Sequence, residues 1–404
     1  MKFAKYIALL CLFLTFPVQS QANSYAERED VQAFIDEMAT QHDYDRATLD
    51  ALFRVTQPIA SVLKAIRPPA DPGIRSWRAY RSRFVEPVRI AAGKAFMQRY
   101  ANELAAAEAR FGVPKEIIAA IIGVETIYGK HMGNYTTFAA LTTLAFDYPP
   151  RAKLFRQELI ELLLLAREEN RPILSYKGSY AGALGWPQFM PSSRRKYALD
   201  FDNDGKVDLT ASPADAIGSA AHFLSEHGWE KDGVIAEKIT ISGDGIQALL
   251  DEGIKPQHRP SEFAARNVQI ERVREKVGAG ETTDEPPAQQ EGAGKNPALF
   301  AVDALQGGRA KNALMGPLRS KAVEQSTLSS PLRIFAVADG ETATNTQLSD
   351  QPAALIDLIT PDAPTEYRLG YQNFYVITRY NRSSFYAAAV MDLAEALQDA
   401  SIGQ

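Results

Sequence analysis

Glu125 stands where a charge is costly. Ile118, Ile121, Ile122 and Glu125 follow the i, i+3, i+4, i+7 spacing of one helical stripe, and the run IIGVETIYG (121–129) contains the last three. A carboxylate on an apolar stripe is expensive to bury unless it is paired or protonated. Three readings follow. Glu125 pairs with a buried Arg or Lys. It sits at a helix edge that only looks buried. Or it is a general acid whose pKa is raised by desolvation, so that it holds a proton near neutral pH and can donate it. The neighbours favour the third: Gly123 and Gly129 allow close approach of a ligand, and Thr126, Tyr128, His131, Asn134 and Tyr135 follow within ten residues. Polar and aromatic groups crowded after an acid at a helix end suit a sugar site.

A second stretch, SYAGALGWPQFMPSS (179–193), carries Tyr180, Trp186, Gln188 and Phe189 among glycines, prolines and serines, with no charge. It is too glycine-rich for a helix and too irregular for a strand. It reads either as a structural turn capping a helix or as a groove wall, with aromatic rings such as Tyr180 stacking on sugars and Gln and Ser hydrogen-bonding to them. A third stretch, DFDNDGKVD (200–208), matches the D-x-D-x-D-G opening of a calcium loop. Its oxygens at alternate positions would converge on an ion, and Gly205 would permit the turn. Position 12 of that loop is Ala211, and the next acid is Asp215. The simple alternative is a solvated acidic turn with Asp215 capping its helix.

Helices must position these groups. EREDVQAFIDEMATQH, DRATLDALFRV and RAKLFRQELIELLLLAREEN have helical apolar spacing. PVRIAAGKAFMQRYANELAAAEARFG reads as one long helix from Pro87 to Gly112, and Pro114 opens the helix that carries Glu125. SPADAIGSAAHFLSEHG has Ser212 as N-cap and Pro213 at N1. No strand with clear alternation precedes residue 236. After it, GVIAEKITI, PLRIFAVA, AALIDLI, TEYRLG and NFYVITRY read as short strands, DGIQALLDEG as a short helix, and SSFYAAAVMDLAEALQDA as a closing helix. Residues 278–297, rich in Gly, Pro, Glu and Gln, predict a disordered loop. The expected fold class is α+β, mainly α. A helical catalytic domain over 23–235, joined again by 372–404, carries a small β-rich inserted domain over 236–371.

The 404 residues are 46% hydrophobic and 23% charged, an ordinary globular balance. A net charge of −5, spread along the chain, leaves no basic footprint for nucleic acid. Five histidines and one cysteine give little material for a zinc site or a disulfide framework. Residues 1–22 join Lys2 and Lys5 to a short apolar core and end in Ser20-Gln21-Ala22, which predicts a secretory signal peptide cut after Ala22 and a periplasmic address. Lipoprotein anchoring on Cys11 is disfavoured, because the apolar run continues past it and Leu10 is large for that cleavage. No second apolar run is long enough for a stable membrane span.

Together, GVPKEIIAAIIGVETIYG, YAGALGWPQFMPSS, DFDNDGKVDL…PADAIGSAAHFL…HGW and NFYVITRYN resemble the lytic murein transglycosylase B family, enzymes that cleave bacterial peptidoglycan. The resemblance runs in order from about Trp77 to the last helix, except across 255–355. It implies a lysozyme-like helical domain with a small β-rich domain, and Glu125 as the single catalytic acid. It implies groove roles for Ser179, Gln188, Tyr80, Tyr380, Asn381 and Tyr386, the serine helping to orient the reacting N-acetyl group. Phe223 falls where a tyrosine is expected, which removes one hydroxyl hydrogen bond; Pro150 falls where an arginine is expected, while Arg151 matches, which alters contacts to the stem peptide. For the acidic loop it implies a cation held by Asp200, Asp202, Asp204, the Lys206 carbonyl and Asp215, structural rather than catalytic, calcium or sodium. No cofactor does chemistry. The mechanism implied uses one carboxyl where ordinary glycosidases use two. Glu125 protonates the bond between N-acetylmuramic acid and N-acetylglucosamine, the substrate's acetamido oxygen stabilises the cation, and the C6 hydroxyl closes onto C1 as a 1,6-anhydro end. The expected partner is the peptidoglycan glycan strand, met by a monomer associated with the wall-synthesis machinery. The rival readings are a hydrolytic muramidase of the same fold and a non-catalytic peptidoglycan-binding protein.

Overall fold

A computed structural model describes residues 24–68, 75–273 and 348–398. The signal segment with Cys11, the 278–297 loop and the strand expected at 331–338 lie outside the described residues. The chain divides into two compact units, one ending at Gln57 and the other beginning at Pro58.

The first unit contains α1 (Glu29–His42) and α2 (Arg46–Val55). Phe34 and Phe53 meet edge to face at 5.9 Å, and the Asp45 carboxylate caps α2 by accepting from the Thr48 N–H.

The second unit is mainly helical. In order come α3 (Ala60–Ile66), α4 (Trp77–Arg81), α5 (Pro87–Arg99), α6 (Ala101–Phe111), α7 (Lys115–Thr126), α8 (Thr137–Asp147), α9 (Ala152–Glu168), α10 (Pro191–Tyr197), α11 (Pro213–Glu226), α12 (Ile246–Asp251), α13 (Gln372–Tyr380) and α14 (Ser384–Gln398). Every residue of α7 from Glu116 to Thr126 is buried, so this helix is the axis of the core. Helices α5, α6, α11 and α14 pack around it. Where one helix was expected over 87–112 there are two, broken at Tyr100, whose φ −114° and ψ 35° are not helical. Glu86 caps the first of them, its carboxylate accepting from Val88 and Arg89 N–H. Ser212 caps α11 with Pro213 at N1, as the sequence predicts.

Strands β3 (Ala236–Ser242), β4 (Gln269–Arg272), β5 (Ala354–Leu358) and β6 (Glu366–Gly370) form an antiparallel sheet in the order β4-β3-β6-β5. Ile239, Leu355 and Leu369 join Phe263 and Val268 in a small second core. A two-residue pair, β1 (Tyr135–Thr136) and β2 (Lys177–Gly178), precedes this sheet; elements this short carry no alternation to read.

NFYVITRY is a helix, α13, not a strand. Its β-branched and aromatic residues have strand propensity. However, Asn373, Val376, Ile377 and Tyr380, all buried, follow i, i+3, i+4, i+7. Asn373 is tied to the turn before β3, accepting from Glu230 N and donating to the carbonyls of Glu230 and Gly233. Packing of the stripe outweighs propensity.

Candidate active site

Glu125 is in the last turn of α7, 3% exposed. Among the described residues no Arg or Lys forms a salt bridge with it, so the ion-pair reading falls, and its burial removes the helix-edge reading. Its recorded partner is Tyr386 in the first turn of α14, whose hydroxyl donates to Oε1 at 2.7 Å. Desolvation raises the Glu125 pKa to about 7, against the opposing effect of that hydrogen bond. The carboxyl therefore holds its proton near neutrality.

Glu125 forms part of the wall of a cavity of about 240 Å³. Gln188, Phe189, Phe223 and Tyr380 line it too, and Glu125 is the one carboxylate in that wall. The other buried glutamates of the helices, Glu116 and Glu158, are outside it. The Tyr380 ring lies 4.8 Å from Phe223, edge to face, and 6.4 Å from Tyr386, nearly parallel. Its hydroxyl donates to the Pro187 carbonyl at 2.8 Å, fastening the returning chain to the glycine-rich stretch. Burial pushes both tyrosines well above the ordinary phenol pKa, so both remain donors.

Residues 179–190 form turns rather than a helix. Leu184 and Phe189 bridge antiparallel, and Gln188 sits in the left-handed region at φ 51°. The Gln188 amide donates to the carbonyls of Gly185 (2.9 Å) and Met132 (3.2 Å), and its buried Oε1 has no protein partner. Asn381 is 1% exposed, and neither of its side-chain polar atoms has a protein partner. Asn381 follows the wall residue Tyr380 but is not itself in the wall, whereas Gln188 is; an unsatisfied buried amide in a cavity wall is a group a polar ligand would satisfy.

The other expected groove residues are placed differently. Ser179 is fully buried outside the cavity wall, its Oγ accepting from the Ala181 and Ala183 N–H groups of its own turn. Tyr180 is 2% exposed and away from the wall; its ring packs in the interior, where a sugar cannot stack on it. The Tyr80 ring joins an aromatic cluster with Phe84 and Phe385 at 5.0 and 5.6 Å. Arg151 ends the 3₁₀ turn before α9, outside the cavity wall.

The sequence reading missed four wall residues: Lys196, Tyr197, His227 and Arg379. Two had a signal, since His227 opens the HGW motif and Arg379 precedes Tyr380. His227 Nδ1 lies 2.6 Å from the Phe223 carbonyl, an N–H donating to it, and burial lowers the pKa of the ring, so the imidazole is neutral.

In the acidic loop the carboxylates of Asp200, Asp202 and Asp204 present oxygens all within 4.8 Å of one another, and Gly205 adopts φ 88°. Asp215 is not in this cluster. It is 1% exposed, and its two oxygens accept from Phe201 N and Asp208 N, both at 2.7 Å. It closes the loop by binding backbone amides. Lys206 donates its backbone N–H to Asp204.

Residues 26–302 and 317–395 match the family model described as the transglycosylase SLT domain. The chain belongs to that family. Membership makes it an enzyme of peptidoglycan, a lytic murein transglycosylase. It is 32% identical over 389 residues to membrane-bound lytic murein transglycosylase B of Escherichia coli strain K12, covering 94% of this chain and 86% of the relative. It is also similar to the structure of an E. coli lytic transglycosylase in complex with calcium (32% identity, TM-score 0.66, 94% of this chain and 95% of that one). A third similar protein is SltB3 of Pseudomonas aeruginosa, in complex with NAG-anhNAM-pentapeptide (25% identity, TM-score 0.63, 93% and 80%). The mainly helical, lysozyme-like fold with its small sheet is the one these enzymes share.

Proposed function

We propose that this enzyme cleaves the β-1,4 bond between N-acetylmuramic acid and N-acetylglucosamine with Glu125 as its single catalytic carboxyl group, and releases 1,6-anhydromuramyl ends. The observation that carries this reading is a lone carboxyl on a cavity wall, held protonated near pH 7 by burial. A double-displacement or water-activating glycosidase needs a second carboxylate across the bond, and the wall offers none. Glu125 gives its proton to the glycosidic oxygen as the bond to C1 breaks. The substrate's acetamido oxygen meets the positive charge at C1. The Glu125 carboxylate, stabilised by the Tyr386 hydroxyl, then takes the proton of the C6 hydroxyl as its oxygen bonds to C1, which restores the acid. Gln188, Asn381, Tyr380 and Phe223 form the sugar-binding surface, and the ligand named for the SltB3 complex is of the product class. Mass spectrometry of peptidoglycan digests tests this. Products with 1,6-anhydro ends are expected; reducing ends alone would identify a hydrolytic muramidase, and no products a binding protein.

Asp200, Asp202 and Asp204 form a donor set of hard oxygens that suits calcium. Three close carboxylates repel one another without a cation. A bound ion would pin the loop between α10 and α11 and take no part in the chemistry. Calcium is expected to raise Tm by several degrees, chelation to reverse this, and sodium to do so only at far higher concentration. An unchanged Tm in saturating calcium would remove the ion from the account. Among the described residues no helix is long and apolar enough to cross a membrane, and the 1–22 segment supports export to the periplasm.

A further inference from the structure

Ile127 and Tyr128, which directly follow the helix of Glu125, both lie in the left-handed region, at φ 51° and 55°. A helix commonly leaves through this conformation at a glycine. A β-branched isoleucine is strained there and holds it only if its surroundings over-determine it. Ile127 N–H donates to the Gly123 carbonyl, and His131 N–H to that of Thr126. The Tyr128 ring folds back into a notch whose two sides are glycines of different helices, Gly93 on α5 and Gly123 on α7. A Cβ at either would lie 2.2 or 2.5 Å from the Tyr128 hydroxyl. Gly123 is two residues, about 200°, around α7 from Glu125, so the ring wedges the back of the helix while the acid faces the cavity.

The same turn grips the opposite wall. Thr126 Oγ1 donates to the Trp186 carbonyl at 3.0 Å and accepts from Gly129 N–H at 2.9 Å. A Cβ on Gly129 would meet the indole of Trp186 at 2.5 Å. Phe96 lies between the Tyr128 and Trp186 rings, at 5.1 and 6.0 Å. Trp186 is two residues from Gln188. The acid and its facing amide are thus tied through one strained turn and one aromatic cluster.

We propose that Tyr128 is a positioning residue: wedged between Gly93 and Gly123, it holds the turn that sets Glu125 against the Gln188 wall. The proposal rests on Glu125 being the acid, but it concerns what places that acid. Tyr128 is outside the cavity wall, and its hydroxyl is buried without a protein hydrogen bond, so the ring and not the phenol acts.

The test compares Tyr128→Ala, Tyr128→Phe, Gly93→Ala and the Gly93→Ala/Tyr128→Phe pair on intact peptidoglycan, well below each Tm. Tyr128→Ala should lose about 10²-fold in kcat, the order a misplacement near 1 Å costs, with half-saturating substrate little changed. Its pH profile should also move: a loosened turn admits water to Glu125, so the high-pH fall of the rate shifts towards lower pH. A role in folding alone would scale the profile without moving it. Tyr128→Phe should retain activity within a few-fold. Gly93→Ala, remote from the cavity, should lose about 10-fold, and the pair should recover part of it, because Phe removes the nearest atom at 2.2 Å and leaves Leu397 Cδ2, a chain end that can turn away, at 2.5 Å and the ring Cζ at 2.9 Å. A Tyr128→Ala enzyme with kcat within 3-fold of the parent, equal damage by Phe, or no recovery in the pair would each overturn the proposal. If Tyr128→Ala does not fold, the Gly93 pair decides. Glu125→Gln separates the two ideas. Retained activity there removes the acid, whereas an inactive Glu125→Gln beside an unaffected Tyr128→Ala removes only the positioning role.

Discussion

Glu125 and Glu158 are both 3% exposed, and burial raises both pKa values, to about 7 and about 6. What differs is what their oxygens face. Glu158, in the middle of α9, accepts from the Ser192 N–H at 3.0 Å and the Ser192 hydroxyl at 2.7 Å. It satisfies one of the orphan amides in the first turn of α10. Glu125 accepts one hydroxyl and otherwise opens to a cavity. A raised pKa is thus common to both carboxyls; access to a ligand separates the proposed acid from the structural one.

Glu125→Gln puts this to its strongest test. Loss of a general acid costs about 10²–10⁴-fold in rate, and the fold should survive, since Gln keeps the shape and an Oε1 that accepts from the Tyr386 hydroxyl. A loss of only 2-fold on peptidoglycan would erase the distinction between the two glutamates.

Stability should also depend on pH through both. Each carboxyl has a folded pKa above its unfolded value, so its contribution is full below about pH 4 and is lost as pH rises through about 6 for Glu158 and about 7 for Glu125. At 1.36 kcal/mol per unit, the loss is roughly 2 kcal/mol for the first and roughly 3 for the second. Denaturant melts from pH 5 to 8 should fall in this window, and Glu125→Gln should flatten its upper part. An equal slope in parent and variant would mean that Glu125 does not titrate there.

How visible these groups were in the sequence follows from how local their signals are. Glu125 was legible because a charge on an apolar stripe is an anomaly within eight residues. Ser212 and Pro213 were legible as a cap for the same reason. Helix α13 was misread because propensity and period conflicted over eight residues, and the packing that decided for period comes from residues far away in the chain. Lys196, His227 and Arg379 became wall residues only when three separate segments met. Asp215 is expected on a metal, and in the structure its two oxygens accept from the backbone amides of Phe201 and Asp208; that backbone direction is invisible to composition.

Glu158→Ala is a smaller test of the same contrast. It leaves the Ser192 N–H buried without an acceptor, at about 1–3 kcal/mol, plus the space left by the side chain. Activity per folded molecule should stay within 2-fold. Glu158→Gln should be far milder, because the Ser192 hydroxyl can rotate and accept from the new amide. A large kcat loss in either would give Glu158 a part in the chemistry.

The Tyr386 hydroxyl is the most diagnostic feature of the site's design. The Tyr386 hydroxyl stabilises the Glu125 carboxylate more than its acid, and so lowers a pKa that burial raises. In the proposed mechanism Glu125 works in both forms, as donor and then as base, and this hydrogen bond keeps the two within reach of each other. Tyr386→Phe removes it at constant shape. The acid becomes weaker and the carboxylate left after proton donation is less stable, so the rate at pH 6 should fall about 10-fold, near the lower end of the roughly 1.5–3 kcal/mol that a bond to a charged group contributes. The high-pH fall of activity should move upward, because Glu125 keeps its proton longer. If it moves downward, Tyr386 acts mainly by excluding water, and the difference between the two glutamates lies in packing rather than in hydrogen bonding.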